Sequence, residues 1–324
     1  GDSPVLLDSY LSGAIELDVD ALCDGKNVHV AGIMQHIEEA GVHSGDSACS
    51  LPPYSLSQDI IDELKIQSTA LALELGVVGL MNVQFAVKNG EIFLIEVNPR
   101  ASRTVPFVAK AVKSPIAGIA SRIMAGEPLS NFDLIDPQID TFAVKEAVLP
   151  FARFPGVDTI LGPEMRSTGE VMGSDKSFAR AFLKAQLGAG TDLPTGGKVF
   201  LSIKDSDKTD MMVEAMQILS DEGFEVVSTR GTAKWLGDNG IASDIVNKVY
   251  EGRPNVVDML KNGEISLLFN TTEGAQAIED SREIRSVALY DRIPYYTTAA
   301  GSHAASLAIN SLKEGEFEVT ALQG

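Results

Sequence analysis

Glu96 and Asn98 stand two residues apart at the end of the apolar run LIEV, and Arg100 and Arg103 follow at once. Residues two apart on a strand share a face, so both side chains bring hard oxygen donors to one place. Magnesium takes such ligands in small number and keeps its remaining coordination for water and substrate phosphates. Guanidiniums beside a carboxylate-held cation would neutralise charge on a phosphoryl group in transfer. Gln84, in the preceding stretch LMNVQFAVK, is a candidate third oxygen donor. The competing use of these charges is a surface ion-pair cluster, which is common and contributes little to stability.

Two strands must position this group. NVQFAVK and EIFLIEV flank Asn89-Gly90, the strongest short hairpin signal a sequence offers. A plain two-residue loop there pairs Gln84 with Ile95, and only a bulge or a longer loop pairs it with Glu96. Upstream, GDSPVLLDSYLSGAIELDVDAL reads as a strand pair. Ser57 is placed to cap a helix through Ile60, Leu64, Leu71 and Leu75, with Gly76 as its stop. Ser114 and Pro115 open another that ends at Gly126, and the arginines are expected within one turn of a helical segment. From residue 197 the texture changes. KVFLSIK, FEVVST, ISLLFN and SVALY read as short strands between helical stretches such as TDMMVEAMQILSDEG. That alternation predicts a doubly wound parallel sheet. The expected division is therefore 1–196 and 197–324, joined through LGAGTDLPTGG.

The bulk numbers set limits. A chain of 324 residues is long enough for two domains. A formal charge of -19 argues against nucleic acid or an anionic membrane as partner, so any phosphate site must be local. Two cysteines are expected as free thiols. No apolar run approaches the ~20 residues that span a bilayer, and the expected compartment is the cytoplasm.

The strings LMNVQFAVKNGEIFLIEVNPRASRTVPFVAKA, QHIEEAGVHSGDSACSLPP and GPEMRSTGEVMG together resemble the carboxy-terminal ATP-grasp unit of the carbamoyl-phosphate synthetase large subunit family. The resemblance implies a partial ATP-grasp fold, α+β with an antiparallel sheet, that phosphorylates carbamate with ATP to give carbamoyl phosphate. By it Gln84, Glu96 and Asn98 hold Mg²⁺ or Mn²⁺, and Arg103 and Arg100 face the phosphoryl groups. Glu16 and the His43-Ser44 backbone then line the nucleotide. Glu38, Asp46 and Glu146, three carboxylates that otherwise read as a solvated acidic face, would take an ornithine activator. It also implies further parts: a preceding subdomain with a phosphate-covering loop, a half that acts on bicarbonate, and a glutaminase small subunit. By itself the chain is expected not to turn over. His29 and His36 read as packed or exposed in an apolar setting.

In open parallel sheets, ligands bind beyond the carboxyl ends of strands. Three such ends carry hydroxyls here: Thr229 and Thr232; Asn270, Thr271 and Thr272; Thr297 and Thr298. Any one pair alone is better read as a helix cap; three together suggest an anion pocket, with Lys208 and Lys248 as its charge. This half resembles the methylglyoxal-synthase-like regulatory domain of the same family. The resemblance implies a nucleotide monophosphate effector, UMP or IMP in bacterial members, on Lys208, Thr229, Thr232, Lys248 and Asn270 to Thr272, with Thr297 among the effector residues. Two other readings stay open: a regulatory binding module without catalysis, and a methylglyoxal-synthase-type lyase. The lyase ranks last because Arg230-Gly231-Thr232 is followed by Ala233 and Lys234, with no carboxylate before Asp238.

Overall fold

The computed structural model describes residues 4–5, 7, 11–134, 141–154, 157–315, 317, 319 and 321. Most of the first ten residues, on which part of the expected opening strand pair falls, lie outside them. The chain divides into two compact units, Gly1–Val42 with Leu51–Ile139, and His43–Ser50 with Asp140–Gly324.

The first unit is an antiparallel sheet in the order β5-β4-β1-β2. Its strands are β1 (Ile15–Asp24), β2 (Val28–His36), β4 (Val78–Lys88) and β5 (Glu91–Asn98); the short β3 (Cys49–Leu51) lies between β2 and β4 in sequence. β1 alternates from Ile15 to Ala21. Leu17, Val19, Ala21 and Cys23 face a core completed by Val83, Phe85 and Leu64 of α1 (Gln58–Glu74). Their neighbours Glu16, Asp18 and Asp20 therefore take the other face, as the two-residue period of a strand requires. Ser57 is the α1 N-cap residue, and Gly76 takes the left-handed φ of 60° that ends the helix.

After β5 the chain runs without helix to α2 (Val105–Ala111) and α3 (Ile116–Met124), so the arginines sit on an irregular loop and not within a helical turn. Pro115, not Ser114, is the residue before α3; a proline ring presets the helical φ at a position whose N–H needs no partner. α2 comes close against the polar face of the sheet. A Cβ built on Gly32, which pairs with Asp20, would stand 3.1 Å from Val108.

In the second unit β6 (Phe142–Val148) and β7 (Gly169–Asp175) pair antiparallel beside α4 (Phe178–Ala189), whose cap Ser177 accepts the Arg180 N–H. The contact with β7 is close enough that a Cβ on Gly173 would meet the Ala181 carbonyl oxygen at 2.2 Å. A five-stranded parallel sheet follows, in the order β10-β9-β8-β11-β12. Its strands are β8 (Lys198–Ser202), β9 (Glu225–Ser228), β10 (Asp244–Ile245), β11 (Ile265–Asn270) and β12 (Tyr295–Tyr296). Between them run α5 (Asp210–Asp221), α6 (Arg230–Asp238), α7 (Val256–Lys261), α8 (Ala275–Asp280) and α9 (Arg282–Tyr290), and α10 (Ala299–Ser311) closes the fold. SVALY, expected as a strand, is the second half of α9. Ile284, Arg285 and Ala288 are its buried side, a four-residue spacing that overrides the short apolar run.

Candidate functional site

The hairpin carries a bulge where the metal reading needs one. Asn89 and Gly90 both have positive φ, the two-residue turn the sequence suggests. The register then runs Lys88 to Glu91 and Phe85 to Leu94, skips Ile95, and continues with Gln84 opposite Glu96 and Asn82 opposite Asn98. One extra residue on β5 thus returns the pair to a common face. Across the sheet, Gln84 faces Asp18 and Asn82 faces Asp20. Two polar rows result, Glu96-Gln84-Asp18 and Asn98-Asn82-Asp20, on the face opposite the apolar core.

This face is graded from wet to dry. Glu96 and Arg100 are exposed at the β5 edge, where the Asn98 amide donates to Glu96 Oε1 at 2.8 Å and Arg100 donates to Asn98 Oδ1 at 3.2 Å. Three oxygen donors beside a guanidinium suit a hard cation that leaves room for phosphate. Among the described residues no group of three or more His, Cys, Asp or Glu side chains is placed to hold a metal ion. Arg103 is exposed on the loop that follows.

Further in, Asp18 and Asp20 are buried, and the Asn82 amide donates to both, at 3.0 and 2.9 Å. His36 Nε2 lies 2.8 Å from Asp18 Oδ2, with the imidazole also 3.9 Å from Glu16. The histidine therefore has a polar setting, against the apolar one expected. Burial alone would raise the Asp18 carboxyl, but hydrogen bonds from His36, Asn82 and Gln84 together with the His36 charge hold it below its ordinary value. Asp20 has hydroxyl and amide donors but no such cation, and burial pushes it up to about 6. Burial raises Glu16 too, against the opposing His36 charge, while the Gly41 N–H donates to its Oε2 at 3.0 Å. Asp18, Asp20 and Asn82 were missed in the sequence, although the alternation of IELDVDAL and of MNVQF carries their signal.

In the second unit the His43 N–H donates to the Gly162 carbonyl at 2.8 Å, and its Nδ1 accepts from the Gly45 N–H. The buried Lys145 ammonium donates to the Ser44 carbonyl at 2.9 Å, an anchor the sequence did not reveal. Asp46 is buried, and its two oxygens accept from the backbone of Arg166 and Ser167 at 2.8 Å each, so this carboxylate clamps a loop. Glu146 accepts from Gln186 at 2.6 Å, and Gln186 in turn accepts from the Tyr296 hydroxyl, next to Thr297. Glu38 belongs to the first unit, where its charge together with burial raises Tyr54 to about 12.

At the carboxyl ends of the parallel strands lies a cavity of about 400 Å³. Thr229, Lys248, Asn270, Thr271 and Thr272 line it, joined by Lys204, which the sequence reading passed over. Asn270 is buried, and its side-chain N–H group makes no hydrogen bond of good geometry among the described residues, its one polar interaction being a weak one with the Tyr295 hydroxyl. A buried donor held so weakly is open to a better acceptor. Thr232 stands behind Thr229 and accepts its hydroxyl at 3.2 Å. Lys208 turns to Asp205 at 2.6 Å. Thr297 is exposed, and Thr298 caps α10 by accepting the Gly301 N–H. Of the three hydroxyl-bearing strand ends, the third thus makes the ordinary helix cap.

A bulged antiparallel sheet with an oxygen-donor edge, and a parallel sheet with an anion-type cavity, define an α/β protein in which an ATP-grasp unit precedes a methylglyoxal-synthase-like one. Residues 1–132 match the family described as "Carbamoyl-phosphate synthase L chain, ATP binding domain", and residues 211–297 match the "MGS-like domain". The chain is similar to the carbamoyl phosphate synthase large chains of Rhizobium meliloti (strain 1021) and Brucella suis biovar 1 (strain 1330). Each is 59% identical over 329 residues, covering 100% of this chain and 28% of the relative. The large chain of Pasteurella multocida (strain Pm70) is 56% identical over 317 residues, 97% of this chain and 30% of that one. The chain belongs to the carbamoyl phosphate synthase large-chain family, of which it spans the C-terminal portion, under a third of the relatives' length.

Proposed function

We propose that this chain serves the ATP-dependent phosphorylation of carbamate to carbamoyl phosphate, as part of a glutamine-hydrolysing synthase acting with a glutaminase small subunit in the cytoplasm. The observation that carries the reading is the bulge at Ile95, which sets Gln84 opposite Glu96 and beside Asn98. These three would hold Mg²⁺ or Mn²⁺. When bound, the cation supplies charge to polarise the transferred phosphoryl group. The protein's own part is to orient and neutralise: Arg100 and Arg103 meet the phosphoryl oxygens, while Glu16 borders the nucleotide. Among the described residues no helix is long and apolar enough to cross a membrane.

In this proposal residues 197–324 form the regulatory domain. The buried, weakly held Asn270 amide, with Thr229, Thr271, Thr272 and Lys248 around it, supports a phosphate monoester such as UMP or IMP as ligand. Thr232 backs that pocket through Thr229, and within this unit Asp46 and Glu146 are the carboxylates left for ornithine. The same amide favours a second reading, a regulatory binding module without catalysis.

Calorimetric titration separates the two. The first reading expects ATP to bind the full-length large chain in the presence of Mg²⁺, and Glu96→Ala to remove that heat while UMP still binds. UMP heat with no ATP heat from the intact protein leaves only the binding module.

A further inference from the structure

Asp20 is a fully buried carboxylate that no Lys, Arg or His pairs with among the described residues. Its Oδ1 accepts from the Asn82 amide at 2.9 Å and from the Ser102 hydroxyl at 2.8 Å, and its Oδ2 accepts from the Thr104 hydroxyl at 2.6 Å. The two hydroxyls also lie 2.6 Å from each other. Ser102 and Thr104 flank Arg103. Ser102 is half-buried and Thr104 buried, whereas Arg103 is exposed, so the two tethered neighbours turn inward and the arginine between them turns out.

An irregular loop would otherwise leave a long side chain free to sample many directions. Here both flanking residues are tied to one atom group on the floor of the sheet. The floor is also the register of the candidate cation edge: Asp20 faces Asn82, and Asn82 faces Asn98. Burying a carboxylate without a cation is unfavourable for the fold alone. A neutral amide would serve stability better but cannot accept from every donor present, because half of its polar group donates.

We infer that Asp20 is a positioning residue for phosphoryl transfer, acting through Ser102 and Thr104 to aim Arg103 at the phosphate carried beside Glu96 and Asn98. The inference rests on the function proposed above for that edge.

The test is a double-mutant cycle on the full-length large chain with its partner subunit, reading kcat and the KM for ATP. Asp20→Asn is expected to lower kcat roughly 30-fold with KM changed by less than about threefold, since the lost interaction belongs to the transition state. Arg103→Lys lowers kcat as well, because an ammonium cannot reproduce the bidentate fork. In the Arg103→Lys background, Asp20→Asn should cost less than about threefold more, as coupled residues are not additive. Fully additive losses overturn the positioning role and leave the phosphate reading intact. An Arg103→Lys variant with undiminished kcat overturns both. Should Asp20→Asn fail to fold, Thr104→Val carries the test: it should lose roughly fivefold in kcat, and Thr104→Ser, which restores the hydroxyl, should recover it. Equal activity of the Val and Ser variants overturns the inference.

Discussion

The two candidate sites solve opposite electrostatic problems. The β5 edge of the first unit concentrates carboxylates and amide oxygens over a polar strand face, an arrangement that attracts a cation and reaches phosphate only through it and through Arg100 and Arg103. The cavity of the second unit is lined by hydroxyls, an amide and two lysines at the ends of parallel strands, with the carboxylates of Glu273 and Asp280 in the same lining. The first site stands over a buried polar floor; the second gathers its donors at strand ends. On a chain of net charge -19 both must defeat the same repulsive background. In the function proposed above, the first would do so with a divalent cation and the second with local lysines.

The sharpest way to break this comparison is Glu96→Gln. The amide keeps the shape and removes the charge that a hard cation requires. ATP-dependent turnover of the full-length enzyme should fall on the order of 10³-fold, as for loss of a principal charge-stabilising contact; a loss under about tenfold would show that Glu96 holds no metal.

The buried floor makes a separate pH prediction. Asp20 titrates at about 6 in the folded chain against an ordinary 3.8. Between those values the folded chain keeps a proton that the unfolded chain has released. Asp20 therefore makes stability fall as pH rises from about 4 to about 6, and the effect is level above that. With each pH unit of difference worth about 1.36 kcal/mol, the effect is on the order of 3 kcal/mol. Denaturant titrations across this window should show a shallower fall for Asp20→Asn. Asp18 is held low and acts in the opposite sense at lower pH, so equal slopes in the two proteins would mean that Asp20 is charged throughout.

Much of the architecture was legible because period-2 and period-3.6 patterns are imposed by burial. β1, β4, α1, α5 and the parallel strands β8, β9 and β11 lie where apolar spacing puts them. SVALY failed because five apolar-rich residues fit either period, and the packing of Ile284 and Ala288 decided for a helix. At the site, the types of Glu96, Asn98 and Gln84 could be read, but their convergence could not. A bulge at Ile95 leaves no mark in composition, since a residue that is skipped in the ladder needs only to tolerate exposure. Asp18, Asp20 and Asn82 escaped for a different reason. Alternating acids on a strand normally face water, and here α2 and the loop that leads into it pack over that face and bury them.

The cavity offers a further test. Asn270→Asp exchanges the buried donor for a carboxylate of the same shape, which gives the second site the chemistry of the first. Repulsion and the lost donor should weaken UMP binding by about 100-fold, roughly 2–3 kcal/mol, read by calorimetry; unchanged affinity would place the phosphate elsewhere.

The smallest expected effect concerns Gln186, which links Glu146 to Tyr296 through hydrogen bonds of 2.6 and 3.1 Å and is itself buried. Gln186→Leu preserves volume and deprives both neighbours of a partner, a loss of about 1–2 kcal/mol in stability. If Glu146 serves a cationic amino-acid effector, the freed carboxylate also loses its orientation, and ornithine affinity should drop about fivefold, near 1 kcal/mol. A lower melting temperature with unchanged ornithine affinity would make this chain of bonds purely structural. In that outcome the anion cavity would be the second unit's remaining candidate for regulation, and the contrast between a cation edge and an anion pocket would hold without the acidic cluster.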